Sequence, residues 1–187
     1  MIQRFSADDV ARLIRAADAH LTRPARLVII GGMAVGLLAN PSRSTTDLDV
    51  LPDLAPAVTA AFQQAMTATG LRVPLQPVGT YFAPESFQER LQPYAIPGLR
   101  HLEVLLPEPH DLALMKLARG AEHDLQAIEL LHSTHPLDPQ VLLERFHETW
   151  VTGPRSMFAA AYVVLIDRLF GPSVADAHER ALEASAT

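Results

Sequence analysis

Cysteine is absent from the 187 residues. Its absence excludes disulfides, thiolate zinc sites and cysteine nucleophiles, and it suits a cytoplasmic protein kept in a reducing compartment. Long apolar runs are also missing. The longest uncharged one, Leu27 to Asn40, is too short and too glycine-rich to span a bilayer, so no membrane partner is expected. The opening MIQRFSADDV carries two acids and no apolar core, unlike a secretory signal. Charged residues are few, at 19% against 49% hydrophobic, which excludes a disordered chain. The net charge of −6 excludes a surface that is basic all over, and with it non-specific duplex binding. A local basic groove for one RNA end stays open.

What is present reads as mixed α/β at the front and all-helical at the back. Ser6-Ala7-Asp8-Asp9 is a capping-box variant that starts a helix running to about Leu21, with Val10, Leu13, Ile14 and Ala17 on one face. Leu27 to Ile30 is continuously apolar, as a strand buried on both faces should be. Gly31-Gly32 makes a turn into a buried helix, Met33 to Ala39, which Asn40-Pro41 ends. Thr45 to Leu51 alternates as a second strand, and Ala55 to Ala68 is a helix stopped by Gly70. Residues 73 to 98, with five prolines, are expected to be an irregular insertion with one or two edge strands and a helical turn near Phe87 to Leu91. Arg100 to Leu106 alternates as a further strand. Five helices then follow: Pro109–Arg119, Glu122–His132, Pro139–Trp150, Pro154–Phe170 and Ser173–Ala184. The expected organisation is an α/β core over residues 1–107 and a helical region over 108–187 packed on it.

A strand, two glycines and a helix also begin a dinucleotide-binding fold. That fingerprint needs a second glycine where Met33 stands, so that backbone can approach a pyrophosphate. It also needs one ribose-binding acid, whereas Asp47 and Asp49 are two, at i and i+2 on one strand face. A metal reading uses both halves. Magnesium takes oxygen ligands and is completed by water and substrate phosphates, so two carboxylates facing a Gly-Gly helix start suit a Mg2+ or Mn2+ ion carrying a nucleoside triphosphate. Asp47 and Asp49 would hold the metal, and Gly31 and Gly32 would receive phosphate oxygens.

Gly31-Gly32 followed by Arg43, Thr46, Asp47, Leu48 and Asp49 resembles the G-G/S…D-x-D signature of the polymerase-β-like nucleotidyltransferase superfamily. Downstream, HDLALMKLARGAEHDLQAIELL is similar to the lysine, arginine and aspartate pattern of AbiEii-type, toxin-like members. The resemblance covers residues 26 to 133. It implies an α+β nucleotidyltransferase fold and metal-dependent transfer of a nucleoside monophosphate from an NTP to a hydroxyl. The acceptor it implies is RNA, such as a tRNA end, or a protein, in a toxin–antitoxin setting with a cognate antitoxin. Lys116 matches the family's lysine and Asp124 its downstream acid. One departure stands out: Gly32 and Met33 occupy the places where many members carry serine. A hydroxyl contact to phosphate would then come from Ser42, Ser44 or Thr46, or from backbone.

Other residues carry open alternatives. Arg43 and Thr46 either touch phosphate or line a loop. Glu103, with His101 on the same face of its strand, supplies a third carboxylate if that strand lies beside the aspartates, and is an ordinary surface acid otherwise. Lys116 is conspicuous in the apolar LALMKLAR helix, where it either meets phosphate or snorkels. Arg119 lies one turn on and can share its face. Asp124 either holds Lys116 or caps the next helix. His110-Asp111 and His123-Asp124 are two HD dipeptides, as in metal phosphohydrolases, but that all-helical fold needs its first histidine on an earlier helix and His101 is on a strand. His132 and His135 sit in a Pro-flanked loop, where zinc binding is the lesser expectation. The stripe Phe158, Tyr162, Leu165, Ile166 and Leu169 reads as helix core. A member that keeps the fold but has lost turnover is the other alternative; the missing serine favours it and the intact aspartate pair opposes it.

Overall fold

The computed structural model describes residues 4–40, 42, 44–79, 82–118 and 120–185. It divides into two compact units, Met1–Gly79 with Gln88–Glu108, and Thr80–Phe87 with Pro109–Thr187. The main division therefore falls after residue 108, and part of the proline-rich insertion belongs with the helical unit rather than with the α/β core.

In the first unit, a two-residue strand β1 (Phe5–Ser6) leads into helix α1 (Ala7–Asp18). The capping box forms as expected: the Ser6 hydroxyl accepts from the Asp9 amide at 3.1 Å and the Asp9 carboxylate accepts from the Ser6 amide at 3.1 Å. Val10, Leu13, Ile14 and Ala17 are all fully buried. Strand β2 (Ala25–Val28) is followed by helix α2 (Gly31–Ala39), which has no charged residue and buries Met33 to Leu37. The expected strand over 45–51 is in fact two: β3 (Ser44–Thr45) and β4 (Leu48–Val50). They have different partners, which is why the chain bends between them at Thr46-Asp47: β3 pairs antiparallel with β1, while β4 pairs parallel with β5 (Leu75–Pro77). Helix α3 (Pro56–Thr69) starts on a proline and ends at Gly70, whose φ of +71° suits a glycine C-cap.

Strand β6 (Phe82–Pro84) belongs to the second unit, and a 3₁₀ turn (Phe87–Arg90) follows it. Strand β7 (Gln92–Pro93) then pairs antiparallel with β8 (Leu102–Leu106), whose other edge runs parallel to β2. A bridge from Ile29 to Val50, with Ile30 N–H donating to Asp49 O at 2.9 Å and Leu51 N–H to Val28 O at 3.1 Å, ties β4 to the end of β2. The spatial order is thus β5, β4, β2, β8, β7.

Asp18, at the end of α1, locks the entry to β8. Its carboxylate is 3% exposed and accepts from the amides of Arg100 (3.0 Å), His101 (2.8 Å) and Leu102 (2.7 Å). Burial pushes this carboxyl up, but the three backbone N–H bonds outweigh it and hold the group below its ordinary value.

The second unit comprises α4 (Pro109–Leu117), α5 (Glu122–Thr134), α6 (Pro139–Glu148), β9 (Thr149–Val151), α7 (Arg155–Phe170) and α8 (Pro172–Ser185). Helix α6 stops at Glu148 instead of running to Trp150, because Thr149–Val151 pairs antiparallel with β6. Arg155 finishes the end of α6, donating to the carbonyls of Phe146 (3.1 Å) and Thr149 (3.0 Å) with its guanidinium over the Phe146 ring. The stripe is core as expected except at Leu169, which is half-buried: Phe158 stacks on Phe146 at 5.0 Å and Tyr162, Leu165 and Ile166 are fully buried. The Tyr162 hydroxyl meets His178 Nδ1 of α8 at 2.9 Å, and burial raises the phenol's pKa and lowers the imidazole's. Among the described residues no helix is long and apolar enough to cross a membrane.

Candidate active site

The α2 start is built by one glycine. Ile30 is extended (φ −124°, ψ −171°), and Gly31 turns the chain with φ +67°, a left-handed conformation that costs any residue with a Cβ. A Cβ placed there would also collide with the Asp49 carboxylate. The side chain of Asp49 therefore lies directly against the turn where the strand becomes a helix. Gly32 differs: among the described residues nothing outside the helix's own backbone lies within 4 Å of where its Cβ would be, so there is open space on that side.

Asp49 sits at the centre of β4 between Leu48 and Val50, both fully buried. This alternation keeps the acid off the core face, half-buried, as the sequence pattern requires. Asp47, also half-buried, occupies the bend just before β4, where its Oδ1 accepts from the Thr45 hydroxyl at 3.3 Å. Thr46 and Ser42 are exposed, with the Ser42 amide bound to Asn40 Oδ1 at 2.9 Å. The Ser44 hydroxyl is engaged by Arg4 at 2.9 Å, and among the described residues the Ser42 and Thr46 hydroxyls make no such bond. Arg43 lies outside the described residues, as does Arg119.

Glu103 stands apart. The strand beside the aspartates is β2, and β8 lies on the far side of it. Glu103 is in register with Arg26 and accepts from its Nε at 2.8 Å on an exposed face. Arg26 precedes Gly31 by five residues, which at strand rise puts this pair roughly 15 Å from the turn. The sequence pattern placed Glu103 on a surface face correctly, but the neighbouring strand is not the aspartate strand, so it supplies no third carboxylate. His101, half-buried, contributes its amide to Asp18.

In the helical unit, Lys116 and Asp124 come together. The Lys116 ammonium, 5% exposed, meets Asp124 Oδ1 at 2.8 Å, and Asp124 is fully buried. Lys116 therefore does not snorkel; the pair fastens α4 to α5. His123 Nε2 approaches the other Asp124 oxygen at 3.5 Å. His110 Nε2 accepts from the Asp138 amide at 2.8 Å, and His132 Nδ1 accepts from the Leu137 amide at 3.0 Å. Both imidazoles are thus engaged in holding the α5–α6 connection. The engagement of His110, in the first HD dipeptide, weighs against a phosphohydrolase assembled from the two.

The chemistry of the donor set bears on which ion fits. Among the described residues no group of three or more His, Cys, Asp or Glu side chains is positioned to hold a metal. The Asp49 carboxylate beside the helix start, with Asp47 two residues earlier in the chain, makes an incomplete set of hard oxygen ligands. That suits an ion such as Mg2+ that keeps waters and is completed by phosphate, rather than a fully caged structural metal.

An α+β sheet, a glycine turn packed on the carboxylate of the adjoining strand, and a second acid two residues earlier define a nucleotidyltransferase-like fold. The chain belongs to the family described as nucleotidyltransferase of unknown function (DUF6036), whose model matches residues 5–157. The match takes in Gly31, Gly32, Asp47, Asp49, Lys116 and Asp124 and stops within α7. No curated protein and no solved structure matches the chain significantly.

Proposed function

We propose that the protein is a cytoplasmic, metal-dependent nucleotidyltransferase that moves a nucleoside monophosphate from an NTP to an acceptor hydroxyl. The observation that carries this reading is the packing of Gly31 against the Asp49 carboxylate, which couples a carboxylate to a helix start open at Gly32. Asp47 and Asp49 would hold Mg2+ or Mn2+, which when bound supplies charge neutralisation at the triphosphate. The Gly32 backbone and the α2 N-terminus would receive phosphate oxygens, with Ser42 and Thr46 offering hydroxyls. In the reaction the acceptor oxygen attacks the α-phosphorus, the bond to the β-phosphate bridging oxygen breaks, pyrophosphate leaves and the hydroxyl proton passes to solvent.

Lys116 is held by Asp124 in a buried ion pair that fixes α4 to α5, a structural role within the helical unit. The likeness to AbiEii-type, toxin-like members supports an RNA acceptor such as a tRNA end, or a protein hydroxyl, and a cognate antitoxin as partner. The test is incorporation of label from each α-labelled NTP into total RNA or protein, with and without Mg2+, by the wild type and by Asp47→Asn and Asp49→Asn. The reading requires label transfer that needs the metal and both aspartates; equal labelling by the variants would remove it.

A further inference from the structure

The segment that presents Asp47 is held from outside the sheet that carries Asp49. Strand β3 has β1 as its partner, with Phe5 opposite Thr45 and Ser6 opposite Ser44. Phe5 is 2% exposed, so β1 is anchored in the core, and Ser6 is fixed again by the capping box of α1. Arg4, immediately before β1, grips Ser44 twice: its Nε donates to the Ser44 hydroxyl at 2.9 Å and its NH2 to the Ser44 carbonyl at 3.2 Å. One residue further on, the Thr45 hydroxyl donates to Asp47. A planar guanidinium binding two oxygens of one residue fixes direction as well as distance, which an ammonium does not. The contacts run continuously from Arg4 through Ser44 and Thr45 to a carboxylate expected to carry the metal.

We propose that Arg4 is a positioning residue for the active site, acting through Ser44 to hold Asp47 where it meets the metal and the triphosphate. This rests on the reading of Asp47 as a metal ligand, but the clamp itself is testable without turnover. Both contacts are solvent-exposed, so they add little to global stability, and their effect falls on the geometry of a short loop. A carboxylate free to wander by a fraction of an ångström binds the metal–nucleotide complex less well. The expected consequence is a rise in KM and a fall in kcat/KM of about tenfold, part of the roughly 100-fold cost of a full ångström of misplacement.

The experiment compares wild type, Arg4→Ala, Arg4→Lys, Ser44→Ala and the Arg4→Ala/Ser44→Ala double variant. Amide hydrogen exchange across residues 44–47 is measured on the nucleotide-free protein, and initial rates are measured against Mg2+ with the NTP that the wild type uses. The proposal expects faster exchange in both alanine variants, the smaller change in Ser44→Ala because the carbonyl contact remains, a raised KM with little change in kcat, melting temperatures close to wild type, and a double variant no worse than Arg4→Ala. Arg4→Lys should recover only part of the loss. Unchanged exchange overturns the clamp, as does changed exchange with unchanged KM. A raised KM in Arg4→Ala without faster exchange across residues 44–47 would assign Arg4 to direct charge on the nucleotide and overturn positioning. If the wild type transfers no nucleotide, the functional reading fails while the exchange measurement still decides whether Arg4 orders the loop.

Discussion

Replacing Gly31 by alanine tests the turn on which the site depends. Two separate penalties meet there. The φ of +67° costs a residue with a Cβ about 1–2 kcal/mol. The new methyl group also overlaps the end of the Asp49 side chain, which can rotate away at small energetic cost but not without leaving its place. Stability should therefore fall by little more than the backbone penalty, about 2–8 °C in melting temperature for a chain of this size. Metal-dependent transfer should fall much further, because the carboxylate is displaced. Gly32→Ala is the control: its Cβ meets no described atom, and alanine is favoured over glycine inside a helix by up to ~1 kcal/mol. That variant should melt no lower than wild type yet bind NTP less well, since the methyl stands where phosphate would approach. Thermal melts and NTP titrations on the three proteins decide the matter. A Gly31→Ala protein with wild-type melting temperature and wild-type activity would refute the left-handed turn and the Asp49 contact together.

Other expectations follow from the buried charges. Lys116→Ala leaves a fully buried Asp124 without its cation, and urea unfolding should show a loss of about 3–5 kcal/mol. The Lys116→Met/Asp124→Leu double variant should recover much of that stability, so equal damage in both would contradict the pair's assignment. The Asp18 carboxyl sits below its unfolded value, so the folded state binds its proton less readily than the unfolded chain does. Its contribution is complete above the unfolded pKa near 3.8 and is lost as pH falls through the lower folded value. Asp18→Asn should cost about 1–3 kcal/mol near neutral pH, through a donor facing the Arg100 amide, and should flatten the acid end of the stability curve. An unchanged acid limb would show that the three amides do not act on this group.

Much of this arrangement is legible in the residues, for reasons that are local. The helical faces follow from period, and the caps from Ser6, Pro56 and Gly70. The outward direction of Asp49 follows from Leu48 and Val50 on either side. Lys116 was conspicuous because an apolar helix rarely tolerates a lone cation, and its partner lies eight residues away. What escaped is what distant parts of the chain decide. The break between β3 and β4 depends on β1 and β5, which pull neighbouring residues into different ladders. Strand β9 depends on β6, 67 residues earlier in register, and Trp150 suits a helix end as well as a strand. Nothing local marks Asp18, because the three amides it binds lie 82 to 84 residues on. For Glu103, alternation gave the face but could not name the adjoining strand, and that strand decides whether it reaches the site.

The central claim is that Asp47 and Asp49, with the Gly31-Gly32 turn, carry out metal-dependent nucleotidyl transfer. Its most direct test is the rate at which α-labelled NTP is incorporated, with release of pyrophosphate, by wild type and by Asp49→Asn at matched Mg2+, with circular dichroism confirming that both are folded. The account predicts transfer by the wild type that stops on chelation of the metal, and none by the folded Asp49→Asn protein. Asp49→Asn turnover equal to that of the wild type, or wild-type transfer indifferent to metal, would contradict it.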